Sequence, residues 1–271
     1  MKQTVLITGA SSGFGKASAK LFQQKGWNVI AGMRSPEKEQ ELTALQNVLV
    51  VKLDVQDTTS INTAIEQGVK HFGSIDALVN SAGYGLMGVF ESSTPEQVQA
   101  QYATNVFGLM NVTRAVLPFM RPQKRGAIVN ISSVGGIVGL PFGSLYNSTK
   151  FAVEGFSEAL SYEVAPFGIK VKIIEPGSVA TNFRQSIDFI KNEIPEYDPL
   201  IGSLFQRFGK TTEHLSKASP EEVATAIYNA ANDNTNKLRY IVGADTQFYA
   251  DLKSKNTAAE FTARMHDYFV N

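Results

Sequence analysis

An α/β fold built on a doubly wound parallel sheet follows from two observations in the sequence. Short apolar runs rich in β-branched residues recur along the chain, and helix-patterned segments fall between them. Runs that are apolar on both faces are what parallel strands buried on both sides require. Regular strand–helix alternation then implies right-handed βαβ units, with helices on both faces of one sheet.

The strand runs are Val5–Ile7, Asn28–Ile30, Val48–Val51, Ala77–Val79, Ala127–Val129 and Val171–Ile174, and Arg239–Val242 supplies a seventh. Helices are predicted over 14–25, 36–46, 58–72, 95–120 and 146–165. Thr94-Pro95-Glu96-Gln97 carries a start signal, with Thr at the N-cap, Pro in the first turn and Gln positioned to close a capping box. Ser35-Pro36-Glu37 and Ser219-Pro220-Glu221-Glu222 repeat the device. After Ile174 the alternation weakens. Residues 182–218 are irregular and rich in Phe, Ile and Leu, which suits an insertion or lid over a substrate. Residues 246–270 read as a terminal helix, with Phe248, Leu252, Phe261, Met265 and Phe269 near one side. No linker, low-complexity tract or internal repeat divides the chain, so residues 1–271 are read as one domain.

Composition narrows the function. Lys plus Arg and Asp plus Glu number 25 each, and this zero balance speaks against a nucleic-acid partner. The chain has no cysteine, which removes disulfide and thiol chemistry. His71, His214 and His266 are scattered without metal-ligand spacing, so no metal site is expected. No stretch reaches the roughly 18 apolar residues of a membrane span, and the start of the chain lacks a signal-peptide core. The expectation is a soluble cytoplasmic protein.

The first strand runs into Thr8-Gly9-Ala10-Ser11-Ser12-Gly13-Phe14-Gly15 and at once into a helix. Gly9 suits a tight turn, Gly13 a close approach of backbone to a ligand, and Gly15 close helix–strand packing. The helix N-terminus then aims its N–H groups at a pyrophosphate. The competing reading is a plain glycine-rich turn. Gly83-Tyr84-Gly85-Leu86-Met87-Gly88 matches the G-x-G-x-x-G string literally, but the next helix signal comes only at Thr94-Pro95, so it is rejected as the pyrophosphate site. Its loop can still lie beside a cofactor, at a strand's C-terminal end. The second strand ends in Met33-Arg34, where an acidic reader of a ribose 2′-hydroxyl would stand. Arg34 can instead pair with a 2′-phosphate, helped by Ser12, which favours NADP(H) over NAD(H). Otherwise Arg34 is an ordinary surface arginine.

Tyr146-Asn147-Ser148-Thr149-Lys150 sets a phenol and an ammonium four residues apart, on one helix face. A phenol titrates near 10, and a close cation lowers that value toward a useful acid/base range. Tyr249 and Lys253 share the spacing, and there an exposed structural pair is expected. Asn130-Ile131-Ser132-Ser133 opens the loop before Tyr146, where Ser133 can bind a carbonyl oxygen or simply cap a turn.

With these motifs in order the chain resembles the short-chain dehydrogenase/reductase superfamily, through about Thr181. Asp54, Asn80-Ser81-Ala82-Gly83, Asn105 and Pro176-Gly177 extend the series. The resemblance implies a Rossmann fold with strand order 3-2-1-4-5-6-7. It also implies a catalytic set of Asn105, Ser133, Tyr146 and Lys150. In it, Tyr146 is the acid/base and Lys150 holds the nicotinamide ribose and lowers the Tyr146 pKa. Ser133 steadies the substrate oxygen, and Asn105 binds a water leading to solvent. Cofactor contacts implied alongside the glycine turn are Asp54 and Val55 at adenine; Asn80, Ala82 and Gly83 at the adenosine and ribose; and Pro176, Gly177, Val179 and Thr181 toward the nicotinamide. Family members commonly form homodimers or homotetramers. Ser81 departs from the usual second Asn of Asn-Asn-Ala-Gly. The long C-terminal part is similar to the hydroxysteroid and retinol dehydrogenase-like branch.

Val138, Leu140, Phe142, Phe183, Phe189, Ile190, Leu204 and Phe205 are candidate pocket residues, and they suggest a lipophilic or aromatic carbonyl or alcohol substrate. The alternative for each is plain packing. The leading function is NADP(H)-dependent carbonyl reduction or alcohol oxidation. The alternatives are an epimerase or dehydratase on the same fold and a non-catalytic NADP(H) sensor.

Overall fold

The computed structural model describes residues 2–179 and 187–270. Its strands are β1 (Thr4–Thr8), β2 (Asn28–Met33), β3 (Val48–Lys52), β4 (Ala77–Asn80), β5 (Gly85–Met87), β6 (Gly126–Ile131), β7 (Ile169–Pro176), β8 (Ile187–Phe189) and β9 (Arg239–Val242). Seven of them form one parallel sheet in the order β3-β2-β1-β4-β6-β7-β9, and β5 pairs with β8 in a small second sheet. The doubly wound parallel sheet read from the sequence is therefore present, with the expected seventh strand at Arg239–Val242.

The β1 residues show why the sheet is covered twice. Val5 and Ile7 point into an apolar layer with Phe22 of α1 (Gly13–Gln24) and Ile227 of α8 (Pro220–Asn232). Leu6, between them, points the other way, toward Ile65 of α2 (Thr58–Phe72), Val116 of α4 (Leu109–Gln123) and Leu160 of α6 (Ser144–Val164). All are fully or almost fully buried. Alternate side chains leave opposite faces of a strand, and each such burial contributes about 1.5–3 kcal/mol. Two capping boxes, Thr94 with Gln97 and Ser219 with Glu222, start α3 (Pro95–Tyr102) and α8 as expected.

Three elements differ from expectation. Residues 36–46 form a single 3-10 turn, Pro36–Lys38, and no α-helix. Ser35 makes no side-chain cap, and the Glu39 carboxylate instead accepts the N–H groups of Glu41 and Leu42. Only Leu42 is fully buried there, too little apolar surface to hold a helix. The helix predicted over 95–120 is broken by a π segment, Ala103–Gly108, which carries Asn105. The terminal helix over 246–270 is two helices, α9 (Ala244–Ser254) and α10 (Ala258–Phe269), because Thr257 with Glu260 makes a fresh capping box. Between these regions, residues 198–210 form α7 (Asp198–Lys210), and α5 (Val134–Ile137) is a single turn after β6.

Candidate active site

The glycine turn sits where β1 meets α1, at the C-terminal edge of the sheet. Gly9 has φ +68°, and a Cβ on it would come within 2.8 Å of Ala82 Cα. A Cβ on Gly15 would overlap the Gly9 carbonyl. These two glycines are thus required by packing of the turn against itself and the β4 loop. Gly13 differs: it has φ +52° and nothing within 4 Å of its Cβ position. Ser12 makes no side-chain cap, and no acidic residue sits in the first turn of α1. Ser11 and Ser12 are exposed beside it. Open N–H groups at a helix start, with an unfilled approach over Gly13, suit an anionic diphosphate. The residues present fit a dinucleotide.

Arg34, at the end of β2, is exposed and makes no ion pair or side-chain hydrogen bond among the described residues. The nearby acid, Glu39, is occupied by Lys16 at 3.0 Å and by two backbone N–H groups. The edge therefore offers a free guanidinium. Thr8 Oγ1 accepts the N–H groups of Ser81 and Ala82, each at 3.1 Å, which fixes the loop after β4 against β1.

Several cofactor assignments fall on backbone more than on side chains. Asn80 is buried, and its amide donates to Thr113 Oγ1 and Asn130 Oδ1, both at 2.9 Å. Its side chain therefore ties β4 to α4 and β6 and does not line the cavity. The Val55 side chain packs where a Cβ on Gly108 would sit, 2.6 Å away, so it faces α4. Asp54 Oδ1 accepts the Gln56 N–H at 3.0 Å, a turn role. Thr181 lies outside the described residues.

A cavity of about 1090 Å³ opens beside the turn. Phe14, Ala82 and Gly83 line one part of it, with Pro176, Gly177 and Val179 from the end of β7. Ser133, Tyr146 and Lys150 lie in the same wall. Leu140, Phe142, Phe189, Ile190 and Leu204 also line it, as the sequence suggested, together with the polar Asn192, Thr212, Glu213 and Lys217. Val138 is buried with Tyr249 and Phe269, so it packs the C-terminal helices. Phe183 and the side chain of Phe205 lie outside the described residues.

Tyr146 and Ser133 are brought together by two elements. Ser133 caps α5 through the Gly135 N–H at 3.2 Å, and it shares the cavity wall with Tyr146. Both sequence readings of Ser133, capping and binding an oxygen, are therefore compatible in one residue. Burial pushes the Tyr146 pKa up, and the Ser133 hydroxyl opposes this more weakly. Lys150 Nζ donates to the Ile131 carbonyl at 2.8 Å and stands 5.6 Å from the centre of the Tyr146 ring. Burial lowers the Lys150 pKa to about 8, against an opposing pull from Glu154. The expected lowering of the phenol by Lys150 is not seen: burial dominates and pushes the Tyr146 pKa up.

Asn105 does not line the cavity. Its amide donates to the Tyr84 carbonyl at 2.8 Å and to Thr149 Oγ1 at 3.2 Å, while its carbonyl oxygen accepts the Tyr84 N–H at 3.1 Å. It clamps the rejected glycine string 83–88, which runs into β5 and not into a helix. Phe142 has φ +56°, a left-handed conformation costly for a bulky residue, and its carbonyl accepts the Gly88 N–H at 2.7 Å. The loops before and after the cavity are thereby joined.

Sequence reasoning missed Asp245. It is buried, accepts the Ser178 N–H at 2.6 Å and stands where a Cβ on Gly177 would fall. Its only sequence signal was its place at the start of α9. It also missed Tyr84, Met87, Ile187 and Ile201 in the cavity wall.

Residues 3–189 match the family described as short chain dehydrogenase, and the chain belongs to that family. Among curated relatives, a 3-ketodihydrosphingosine reductase of Bacteroides thetaiotaomicron is 45% identical over 181 residues, 67% of this chain and 65% of that protein. A short-chain dehydrogenase of Streptomyces avermitilis superposes with a TM-score of 0.86 at 35% identity, covering 97% of this chain and 96% of that one. ElxO with NADP bound superposes with a TM-score of 0.75 at 31% identity, covering 89% and 98%. The protein is an NAD(P)-dependent oxidoreductase of this family. No helix among the described residues is long and apolar enough to cross a membrane.

Proposed function

We propose that this protein is an NADP(H)-dependent carbonyl reductase or secondary-alcohol dehydrogenase acting on a lipophilic substrate. The observation that carries this reading is Ser133, Tyr146 and Lys150 together in the lining of a cavity that also reaches Phe14 of the glycine turn. The nicotinamide, when bound, supplies or accepts the hydride. In reduction, Tyr146 gives its phenolic proton to the substrate oxygen, and Ser133 donates a hydrogen bond to that oxygen as charge develops on it. Lys150, as a cation, stabilises the phenolate left behind. In oxidation the proton moves the other way. Asn105 keeps the 83–85 backbone in register with Tyr146; a Cβ on Gly85 would come within 3.8 Å of the Tyr146 ring.

Arg34 is the proposed reader of a 2′-phosphate, because it is exposed at the end of β2 and makes no ion pair among the described residues. NADP in the ElxO complex supports this choice. For the substrate, the apolar residues of the lining support a long-chain or aromatic ketone or aldehyde, and so does the 3-ketodihydrosphingosine reductase relative. A sugar epimerase or dehydratase would need a more polar cavity, and a cofactor sensor has no use for a paired phenol and serine. Segment 187–218 is read as the substrate lid. The test is NADPH consumption, followed by absorbance, with a panel of aliphatic, aromatic and long-chain 3-keto substrates. Turnover with at least one member is expected, and Tyr146→Phe should abolish it while NADPH still binds. Full turnover in that variant would overturn the mechanism.

A further inference from the structure

Behind Lys150, away from the cavity, lies a group of charges that the reaction above does not use. Glu154 is one helical turn after Lys150 on α6, so the two share a face. Glu154 is 7% exposed, Lys150 8% and Glu175 of β7 2%. Arg239 of β9 reaches into the group: its Nε is 3.0 Å from Glu154 Oε2 and 3.7 Å from Glu175 Oε1, and its Nη2 is 2.6 Å from Glu158 Oε2. Glu154 Oε1 is buried with no hydrogen-bond partner.

The charges decide the protonation. With both buried carboxyls ionised, Glu154 and Glu175 would set two negative charges around one Arg239 Nε, while Arg239 and Glu158 themselves are 42% and 44% exposed. Two carboxyls buried this closely around one guanidinium disfavour each other's ionisation. Glu175 is the more deeply buried, and burial together with the Glu154 charge pushes its pKa upward. With Glu175 neutral, two anions, Glu154 and Glu158, balance two cations, Arg239 and Lys150. The other neighbours of Lys150 leave this balance alone. β6 presents the Ile131 carbonyl and the Ser132 hydroxyl, α6 presents the Tyr146 ring, and α5 carries no titratable side chain.

We infer that Glu154 is a positioning residue for Lys150, its buried carboxylate keeping Lys150 charged in a compartment that would otherwise neutralise it, with Glu175 the neutral member of the group. The inference rests on the reading of Lys150 as the working cation, yet it concerns Lys150's charge and can be measured without turnover. In the full chain labelled with 13Cε-lysine, the Lys150 resonance is identified by its loss in Lys150→Met. Its titration midpoint should lie near 8. Glu154→Gln should lower the midpoint by about one pH unit or more. Glu175→Gln, which replaces a neutral acid by a neutral amide, should leave it in place. An unmoved midpoint in Glu154→Gln overturns the inference, and so does an equal fall in Glu175→Gln. If Glu154→Gln does not fold, Glu154→Asp serves instead: it draws the carboxylate back from Lys150, so the midpoint should fall by a smaller step, and no fall overturns the inference. A midpoint that falls in Glu154→Gln while the pH profile of NADPH turnover stays put supports the inference and counts against the role given to Lys150.

Discussion

Tyr146 with Lys150 and Tyr249 with Lys253 have identical spacing on helices, yet their surroundings give them different chemistry. Tyr146 is half-buried in the cavity wall, which it shares with Ser133. Tyr249 is 5% exposed and packs with Val138, Leu204 and Phe269, so the pair is not the exposed one the sequence suggested. Burial and the Asp245 charge push the Tyr249 phenol to about 12, a group that keeps its proton at any working pH. Both lysines give their ammonium to a backbone carbonyl, Lys150 to Ile131 at 2.8 Å and Lys253 to Ile137 at 2.6 Å. Lys150 does so in a buried space and pays in basicity, whereas Lys253 stays exposed. Spacing places two groups on a face; access to a cavity and a second hydroxyl make one of the pairs reactive.

The comparison can be broken most directly by the two phenols. Tyr146→Phe should lower NADPH turnover with an accepted carbonyl by roughly a thousandfold or more, and Tyr249→Phe should leave it within about twofold, since Tyr249 donates nothing in the transition state. Equal losses would mean that the phenols act only through packing. The next effect is on the cofactor. Arg34→Ala should weaken NADPH binding by about ten- to a hundredfold, the worth of one or two charge-assisted hydrogen bonds, and leave NADH binding nearly unchanged; both are read by fluorescence titration. Equal losses would remove Arg34 as the phosphate reader.

A pH profile sharpens the contrast between the lysines. Lys150 loses its charge as pH rises through about 8, so reductive turnover should fall on the alkaline side of that value. Burial holds the Tyr146 proton in place over the same range, so the fall belongs to the lysine. A profile flat to about pH 10 would contradict that role. The smallest effect belongs to Lys253→Ala. It should cost no more than about 1 kcal/mol in thermal or urea unfolding, one carbonyl hydrogen bond at an exposed site, with turnover and its pH profile unchanged.

The sheet was legible because its strands are buried on both faces and leave continuous apolar runs, as Val48–Val51 and Val171–Ile174 do. The glycine turn was legible because Gly9 and Gly15 are dictated by backbone contacts that any side chain would break. The segment 36–46 misled because its Ser35-Pro36 signal starts only one 3-10 turn without a side-chain cap, and its only large apolar residues are Leu42 and Leu45. The π segment at Asn105 and the left-handed Phe142 leave no mark in composition. Asp245 acts on Ser178 across 67 residues of sequence, and Glu154 meets Arg239 across 85, contacts that only the folded sheet creates.

Asp245 also limits where this chain can be shortened. Its carboxylate is the wedge that Gly177 and Gly243 leave room for, and it holds the Ser178 N–H at the rim of the cavity. The final two helices therefore do more than trail behind the sheet: their first turn fastens the loop that follows β7. A chain cut before residue 243 would keep every strand and every residue of the Ser133–Tyr146–Lys150 group, and would still lose the clasp on residues 176–178. Trimming from the C-terminal end should stop at α10, and a fusion partner is better attached beyond Phe269 than spliced in ahead of α9.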